Sequence, residues 1–411
     1  MRVSNAASCV LDEWPDPQVQ SWVTNQANRF ANKLDTLSAS SRSDGRSHRA
    51  KLNDVLTSPA STFSCLMLGV WRRDHRLTYV DAIQIADQIS VRQDCGEIIR
   101  LRPQPKPDGG VRMGFAYGLK RTSLQFLVKF ALEATLDPNP FDFSGRGLGA
   151  PRAIEKILQL IGKEDRPWLY TSDIRDCFLS IKNGDWITSV LGLPRAVVDN
   201  VIFNPPHNSH HLTSVQAAPL GLPAGALTSN LVASTMLRPV VEDMASHAVL
   251  SYADNFASAC SDEAEAIAIH EALRKRLQIL PGGPLELHDE RYRHVRKGGH
   301  WLGYDLKVDQ STGKVRATPT AAAFVRFVER LGETLQGVET RQLDNVALRY
   351  AQQWNAAMPV WEPLNPATEL TFSGLEELAL EVALREWEGR KAKAAGLPVP
   401  SASLDEFWLP Q

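Results

Sequence analysis

Between residues 91 and 97 the hydrophobic period of this chain changes. Up to that point apolar residues recur at helical spacing, through 16–40 (DPQVQSWVTNQANRFANKLDTLSAS) and in two later patterns, the clearer at 79–91. The Ser/Arg/Asp-rich stretch SASSRSDGRSHR after the first pattern reads as a loop. From 97 to 118, EIIRLR, PQPKPDGG and VRMGFAYG read as two strands around a tight turn, a β-hairpin. A chain that opens with helices and then inserts a hairpin is not a helical bundle, and the alternation continues. Helical patterns at 121–136, 151–162, 185–202, 229–245 and 262–278 are interleaved with strand-like runs. These runs are WLYTSDI at 168–174, AVLSYA and NFASAC on either side of Asp254, and short basic-edged strands within LPGGPLELHDERYRHVRKGGHWLGYDLKV. The C-terminal part (AAAFVRFVERLGETLQ, TRQLDNVALRYAQQWNAA, GLEELALEVALREWEGRKAKAAG) is mainly helical. The pattern implies an α+β core with helical appendages.

Charge and cysteine usage narrow the partners. The formal net charge of the 411 residues is −2, so no global positive field advertises a nucleic acid, and any phosphate-binding surface has to be local. Five cysteines without CxxC spacing suit neither a disulfide framework nor a zinc knuckle. The N-terminus MRVSNAASCVLDEW lacks the apolar core of a signal peptide, and no run approaches the roughly 18 apolar residues of a membrane helix. A cytoplasmic protein without a membrane partner is the expectation.

Several features carry chemistry only in combination. Asp173 closes the strand WLYTSD, where a carboxylate is most often a helix N-cap. Asp254 sits in SYADNF, where Asp-Asn is ordinary turn chemistry. Two aspartates on the tips of neighbouring strands can instead share a pair of Mg²⁺ ions about 3.5–4 Å apart, which clamp both oxygens of a phosphoryl transfer. GLPAG at 221–225 is a glycine-rich turn that opens a helix and admits close backbone approach, although such punctuation is common. The 97–118 hairpin carries Lys106 at its turn and Arg112 on its return strand, and both can reach a triphosphate, though exposed hairpin charges are usually only solvated. RYRHVRKGGHWLGYDL at 291–306 sets basic residues beside aromatics, which suits either a phosphate-backbone contact or a wet strand edge. His207, His210 and His211 lack metal-ligand spacing, GRGLG at 145–149 is not a dinucleotide fingerprint, and WRRDHR at 71–76 reads as a solvated face.

Taken in order, these segments resemble the reverse transcriptase family. PKPDGGVR resembles its fingers hairpin, LQFLVKFALEATLDP the helix that follows, and FDFSGRGLG the next loop. SDIRDCFLSI resembles the first palm motif, GLPAGALTSNLVA the GLPQG-type palm helix, SYADN the YADD hairpin, and GGHWLGYDL the FLGY-type strand before the thumb. The resemblance spans about residues 97–310 and implies a right-hand polymerase. Helical N-terminal extension, fingers with palm, and helical thumb region would occupy 1–95, 96–310 and 311–411. By position it implies that Asp173 and Asp254 ligate two Mg²⁺ ions, with Mn²⁺ as an alternative and the Ile174 carbonyl as an extra ligand. Phe178 falls at the steric gate that favours deoxynucleotides. Lys106 and Arg112 would hold the incoming triphosphate, Ala224 and Gly225 would lie against the nucleotide, and Arg291, Arg293, Arg296 and Lys297 would contact nucleic acid.

The chain departs from the family at three places. Asn255 replaces the second aspartate of YADD and removes a negative charge, while still offering an oxygen. Ala224 stands where glutamine is common, and Arg291 where a lysine often sits; arginine stays protonated and is a poor proton donor. Endonuclease, integrase and ribonuclease H patterns are missing, as are the NAxxH and VTG signatures of retrons. What is left is most similar to the bacterial defence-associated reverse transcriptases. That resemblance implies an RNA template (a structured non-coding RNA), dNTPs, a DNA product and a role against phages, with a second copy or a second reverse transcriptase subunit as further partners. Two alternatives stay open: a catalytically weak RNA-binding scaffold or partner subunit, motivated by Asn255 and Ala224, and an RNA-dependent RNA polymerase, disfavoured by Phe178.

Overall fold

A computed structural model describes residues 14, 16–40, 45–73, 77–105, 111–137, 139–145, 148–163, 166–203, 221–288, 291–309, 312–357 and 372–395. The fold is α+β: mainly helical, with small antiparallel sheets. Lys106 and the His207–His211 stretch lie outside the described residues. The chain forms two compact units, one from Met1–Arg146, Asp173–Met244 and Ala272–His288, the other from Gly147–Ser172, Ala245–Glu271 and Asp289–Gln411.

The first unit begins with helices α1 (Pro17–Ser40), α2 (Gly45–Thr57), α3 (Pro59–Arg73) and α4 (Tyr79–Gln88). Helix α1 buries Val23, Ala27, Phe30 and Leu37, the three- and four-residue spacing of one helix face. Part of the 38–49 stretch expected as a loop is helical instead. Buried Ser40 satisfies its hydroxyl on the Leu37 carbonyl at 2.6 Å, so packing overrides its weak helix propensity. Strands β1 (Arg100–Pro105) and β2 (Val111–Ala116) pair antiparallel, with Gln104 opposite Arg112. Here β1 runs through PQP, which was expected in the turn. Pro103 and Pro105 are two residues apart, so both missing N–H groups fall on the same edge of the strand, as a two-stranded ribbon tolerates.

Helix α5 (Leu119–Thr135) is started by tertiary contacts. The Glu97 carboxylate accepts from the backbone N–H of Lys120 (3.1 Å) and Arg121 (2.9 Å), satisfying first-turn amides that a helix cannot pair internally. Arg121 is 2% exposed and donates to Asp94 (2.5 Å), the Glu97 carbonyl (2.9 Å) and the Asn200 carbonyl (3.4 Å). A buried cation held this way binds the loop before the hairpin to the 198–202 turn; stranding one partner of such a pair costs about 3–5 kcal/mol. The helical pattern expected over 185–202 is interrupted at Gly192. Helix α8 (Asp185–Leu191) ends at Gly192 (φ +64) with Pro194 just beyond, the usual chemistry of a helix stop, and the chain resumes with a short helical turn at Arg195–Val197 that runs into a π-helical turn at Val198–Ile202. The short α7 (Cys177–Ser180) precedes it, and α9 (Ser229–Asp243) follows.

The second unit holds the central sheet, in the order β4 (Leu250–Tyr252), β5 (Asn255–Cys260), β3 (Trp168–Asp173, whose last residue falls in the first unit), β6 (Arg291–His294). Strand β3 is buried at Leu169 and Tyr170, and the Tyr170 hydroxyl lies 3.1 Å from His270 Nδ1. Helix α6 (Ala150–Lys163) packs on β4 and β5, and helix α10 (Glu263–Gln278) follows β5. A second sheet orders β7 (Gly299–Trp301), β8 (Tyr304–Val308) and β9 (Val315–Pro319). Strand β9 was not expected from the sequence; only five residues long, it is defined by its pairing with β8, from Tyr304↔Pro319 to Val308↔Val315. Helices α11 (Ala321–Leu335), α12 (Leu343–Ala357) and α13 (Phe372–Ala394) enclose a core that includes Phe327, Leu331, Leu343, Ala347, Leu375 and Ala379. Arg390 of α13 caps the end of α11, donating to the Leu335 and Val338 carbonyls at 2.6 Å each. Among the described residues no helix is long and apolar enough to cross a membrane.

Candidate functional site

In the first unit three separated segments are tied together through their backbones. The Leu222 N–H donates to the Phe178 carbonyl at 2.6 Å, and the Phe115 N–H of β2 donates to the Ala224 carbonyl at 2.9 Å. Gly221 has no alternative: a Cβ there would lie 2.4 Å from the carbonyl oxygens of both Phe178 and Leu179. Gly225 adopts φ +94, and its Cβ would meet the Phe115 carbonyl at 3.2 Å. The junction with α9 is fixed as well. Gln125 of α5 accepts from the Leu227 N–H (3.2 Å), and Ser229 donates to the Pro223 carbonyl (2.8 Å). The hairpin, the DCFLS turn and the GLPAG loop thus form one local framework.

The DCFLS turn and the GLPAG loop border a cavity of about 540 Å³. Phe178, Gly225, Leu227 and Asn230 line one side, and Phe126, Lys129, Phe130 and Glu133 of α5 another, with Ser144 and Gly145 at the edge. Phe178 and Gly225 are therefore brought together, whereas Ala224 is buried and not among the lining residues. Arg112 is placed on β2 by its backbone register alone. The α5 contribution was missed by sequence reasoning. Its signal was there, since 126, 129/130 and 133 share one helix face.

Asp173 is the last residue of β3, and its side chain is 44% exposed, with a carboxylate oxygen 3.7 Å from His288 Nε2. Its carbonyl accepts from the His288 N–H (2.8 Å), and the Arg175 N–H donates to the Glu286 carbonyl (2.8 Å), on either side of an Ile174↔Leu287 bridge. Because amides alternate direction along an extended strand, the Ile174 carbonyl turns to the opposite edge. Asp254 lies in the two-residue turn between β4 and β5, where Tyr252 pairs with Asn255. Ala253, just before it, has φ +54, a left-handed conformation costing about 1–2 kcal/mol for a non-glycine residue. Strain of this kind is often stored beside functional groups. Asn255 Nδ2 donates to Asp254 Oδ1 at 2.9 Å. Among the described residues no group of three or more His, Cys, Asp or Glu could hold a metal ion. Asp173, Ile174 and Asp254 offer oxygen atoms, the donor type Mg²⁺ selects, and Mg²⁺ usually needs only one or two protein carboxylates.

The second unit carries a cleft of about 580 Å³ between β3–β6 and β7–β8. Arg291, Arg293, Lys297 and Lys307 line it with His300, and Asp305 is the counter-charge, 3.3 Å from His300 Nδ1. Arg296, expected beside them, is not among the lining residues. It falls within the 3-10 turn Val295–Lys297, which the His294 ring caps by accepting the Arg296 N–H at 3.2 Å. Lys307 and Thr171 were missed: Lys307 lies on the same strand as Asp305 at period two, and Thr171 pairs with Arg291. Trp301 and Tyr304, which pair across the β7–β8 hairpin, are buried, and burial pushes the Tyr304 hydroxyl up to about 12. No protein-family model matches this chain, and no curated protein matches it.

Proposed function

We propose that this protein is a reverse transcriptase with a right-hand fold, joining deoxynucleotides to a 3′-hydroxyl on an RNA template. One observation supports the reading most: the hairpin, the DCFLS turn and the GLPAG loop, which resemble successive motifs of that family, are bonded to one another, and the turn and the loop border one cavity. Phe178 in its wall is suited to exclude a ribose 2′-hydroxyl, and Gly225 keeps the adjacent backbone free of a side chain. Asp173, Asp254 and the Ile174 carbonyl would hold divalent ions, which when bound stabilise charge on the attacking and leaving oxygens. The remaining contribution of the chain is positioning, worth several kcal/mol of barrier when reacting groups are held in line. Arg291, Arg293, Lys297 and Lys307 would hold nucleic-acid phosphates. A setting in bacterial defence rests on the resemblance alone.

A second reading, an RNA-binding scaffold without synthesis, is favoured by Asn255, whose amide engages a carboxylate oxygen of Asp254. Primer extension on an RNA template with dNTPs or rNTPs separates the two. The polymerase reading expects dNTP incorporation, and in Phe178→Ala a relaxed preference against rNTPs. No extension on any template by folded, oligonucleotide-binding protein would leave the scaffold.

A further inference from the structure

The cavity of the first unit has a charge balance that limits what it can hold. Among the described residues its charged lining residues are Lys129 and Glu133, paired at 3.7 Å, so the described part of the wall carries no net charge. A polyphosphate or a run of phosphodiesters recruits clustered cations and forked arginine donors. This wall instead presents Leu68, Phe126, Phe130, Phe178, Leu227 and Leu231. Phe126 is half-buried and lies nearly parallel to buried Phe130, at 6.2 Å between ring centroids and 17° between planes. Donors and acceptors sit around this apolar surface: the Asn230 amide, the Ser144 hydroxyl and the Lys129–Glu133 pair. A flat, uncharged heteroaromatic ring with polar edges matches that combination, and about 540 Å³ falls in the ordinary range of ligand cavities.

We propose that this cavity is a stacking site for an unpaired base of single-stranded nucleic acid, with Phe126 as the platform and the phosphates of that strand outside it. The choice of nucleic acid as the ligand rests on the polymerase reading; the neutral, aromatic chemistry of the site does not. Stacking of a base on an aromatic side chain tolerates any sequence, because every base has a π-face, while Asn230 supplies an edge contact that can favour one base.

The test is equilibrium binding of the full chain, without nucleotides or divalent ions, to a short single-stranded oligonucleotide carrying one 2-aminopurine. A deoxyribose-phosphate oligomer of equal length without bases is the control. The parent protein should quench the 2-aminopurine and bind the base-less oligomer more weakly. Phe126→Leu, which keeps apolar volume but removes the ring, should weaken oligonucleotide binding about tenfold, leave the base-less oligomer unaffected and keep the salt slope unchanged. Phe126→Trp should restore binding. Asn230→Ala, at an exposed helix position, should alter base preference without altering the melting temperature. Equal losses for both oligomers, a changed salt slope or an unaffected affinity in Phe126→Leu would overturn the proposal, as would Asn230→Ala leaving base preference as it was. Base-dependent binding without any primer extension would sink the polymerase reading and leave this one standing, and extension with base-independent binding would do the reverse.

Discussion

The cavity of the first unit and the cleft of the second are close in volume, about 540 and about 580 Å³, and unlike in chemistry. Among the described residues the cavity is walled by aromatic and aliphatic side chains around a balanced Lys129–Glu133 pair. The cleft gathers Arg291, Arg293, Lys297 and Lys307 against Asp305. A nucleotide has the same division, with a flat base at one end and anionic phosphate at the other. On the proposed reading, that contrast would let a chain of net charge −2 address a polyanion. Among the described residues its cations are concentrated in the cleft and balanced in the cavity, so the average says little about either region.

The largest effect should come from removing the carboxylates proposed to hold metal, which leaves the cavity and the cleft in place. Asp173→Ala and Asp254→Ala should each reduce primer extension to background while oligonucleotide binding measured without divalent ions stays near that of the parent. Binding lost together with synthesis would mean that these residues hold structure instead.

Next in size is charge reversal in the cleft. Arg293→Glu should weaken oligonucleotide binding and lower its dependence on salt by roughly 0.7–0.9 log units per log unit for each phosphate no longer neutralised. Arg296→Glu, close by in the sequence but not lining the cleft, should have the smaller effect. Equal effects would dissolve the cleft as a distinct site and return the explanation to general basicity. In the first unit, Gly221→Ala should cost about 1–3 kcal/mol in thermal or denaturant unfolding, because its Cβ meets two backbone carbonyls that cannot move aside cheaply. It should also abolish 2-aminopurine quenching and spare binding of the base-less oligomer. A neutral Gly221→Ala would show that the GLPAG loop is not held against Phe178.

Much of this comparison was legible in the sequence, but unevenly. The central strands and both aspartates stood out, because β-branched and apolar runs ended abruptly in turn residues at Asp173 and Asp254. The basic residues of 291–297 were visible as a cluster. Which of them shares a cleft was not, since that depends on the 3-10 turn that carries Arg296 and on pairing between β7 and β8. Strand β9 and the break at Gly192 were hidden for a related reason: the first is defined by a partner strand, the second by the left-handed backbone of one residue. The lining role of Phe126 and Glu133 needed a neighbour across the cavity before a helix face could be read as a wall.

The smallest expected effect concerns Asn255, and it asks whether the second unit contributes charge only through its cleft. Asn255 Nδ2 donates to Asp254 Oδ1 at 2.9 Å, so Asn255→Asp removes a donor and sets one carboxylate against another. Without divalent ions the two negative charges repel. In EDTA at neutral pH the variant should therefore melt below the parent, and the gap should close below about pH 4, where carboxylates take up protons. Added Mg²⁺ should relieve the repulsion, so stability recovers and half-maximal activity is reached at a severalfold lower Mg²⁺ concentration. If Asn255 acts only as the clamp on Asp254, the outcome differs in kind: a loss of about 1 kcal/mol for the missing hydrogen bond, at every Mg²⁺ concentration. Mg²⁺ titrations that overlap, beside a melting deficit that Mg²⁺ does not repair, would assign Asn255 to the turn and leave Asp254 as the sole carboxylate that the turn offers to a cation.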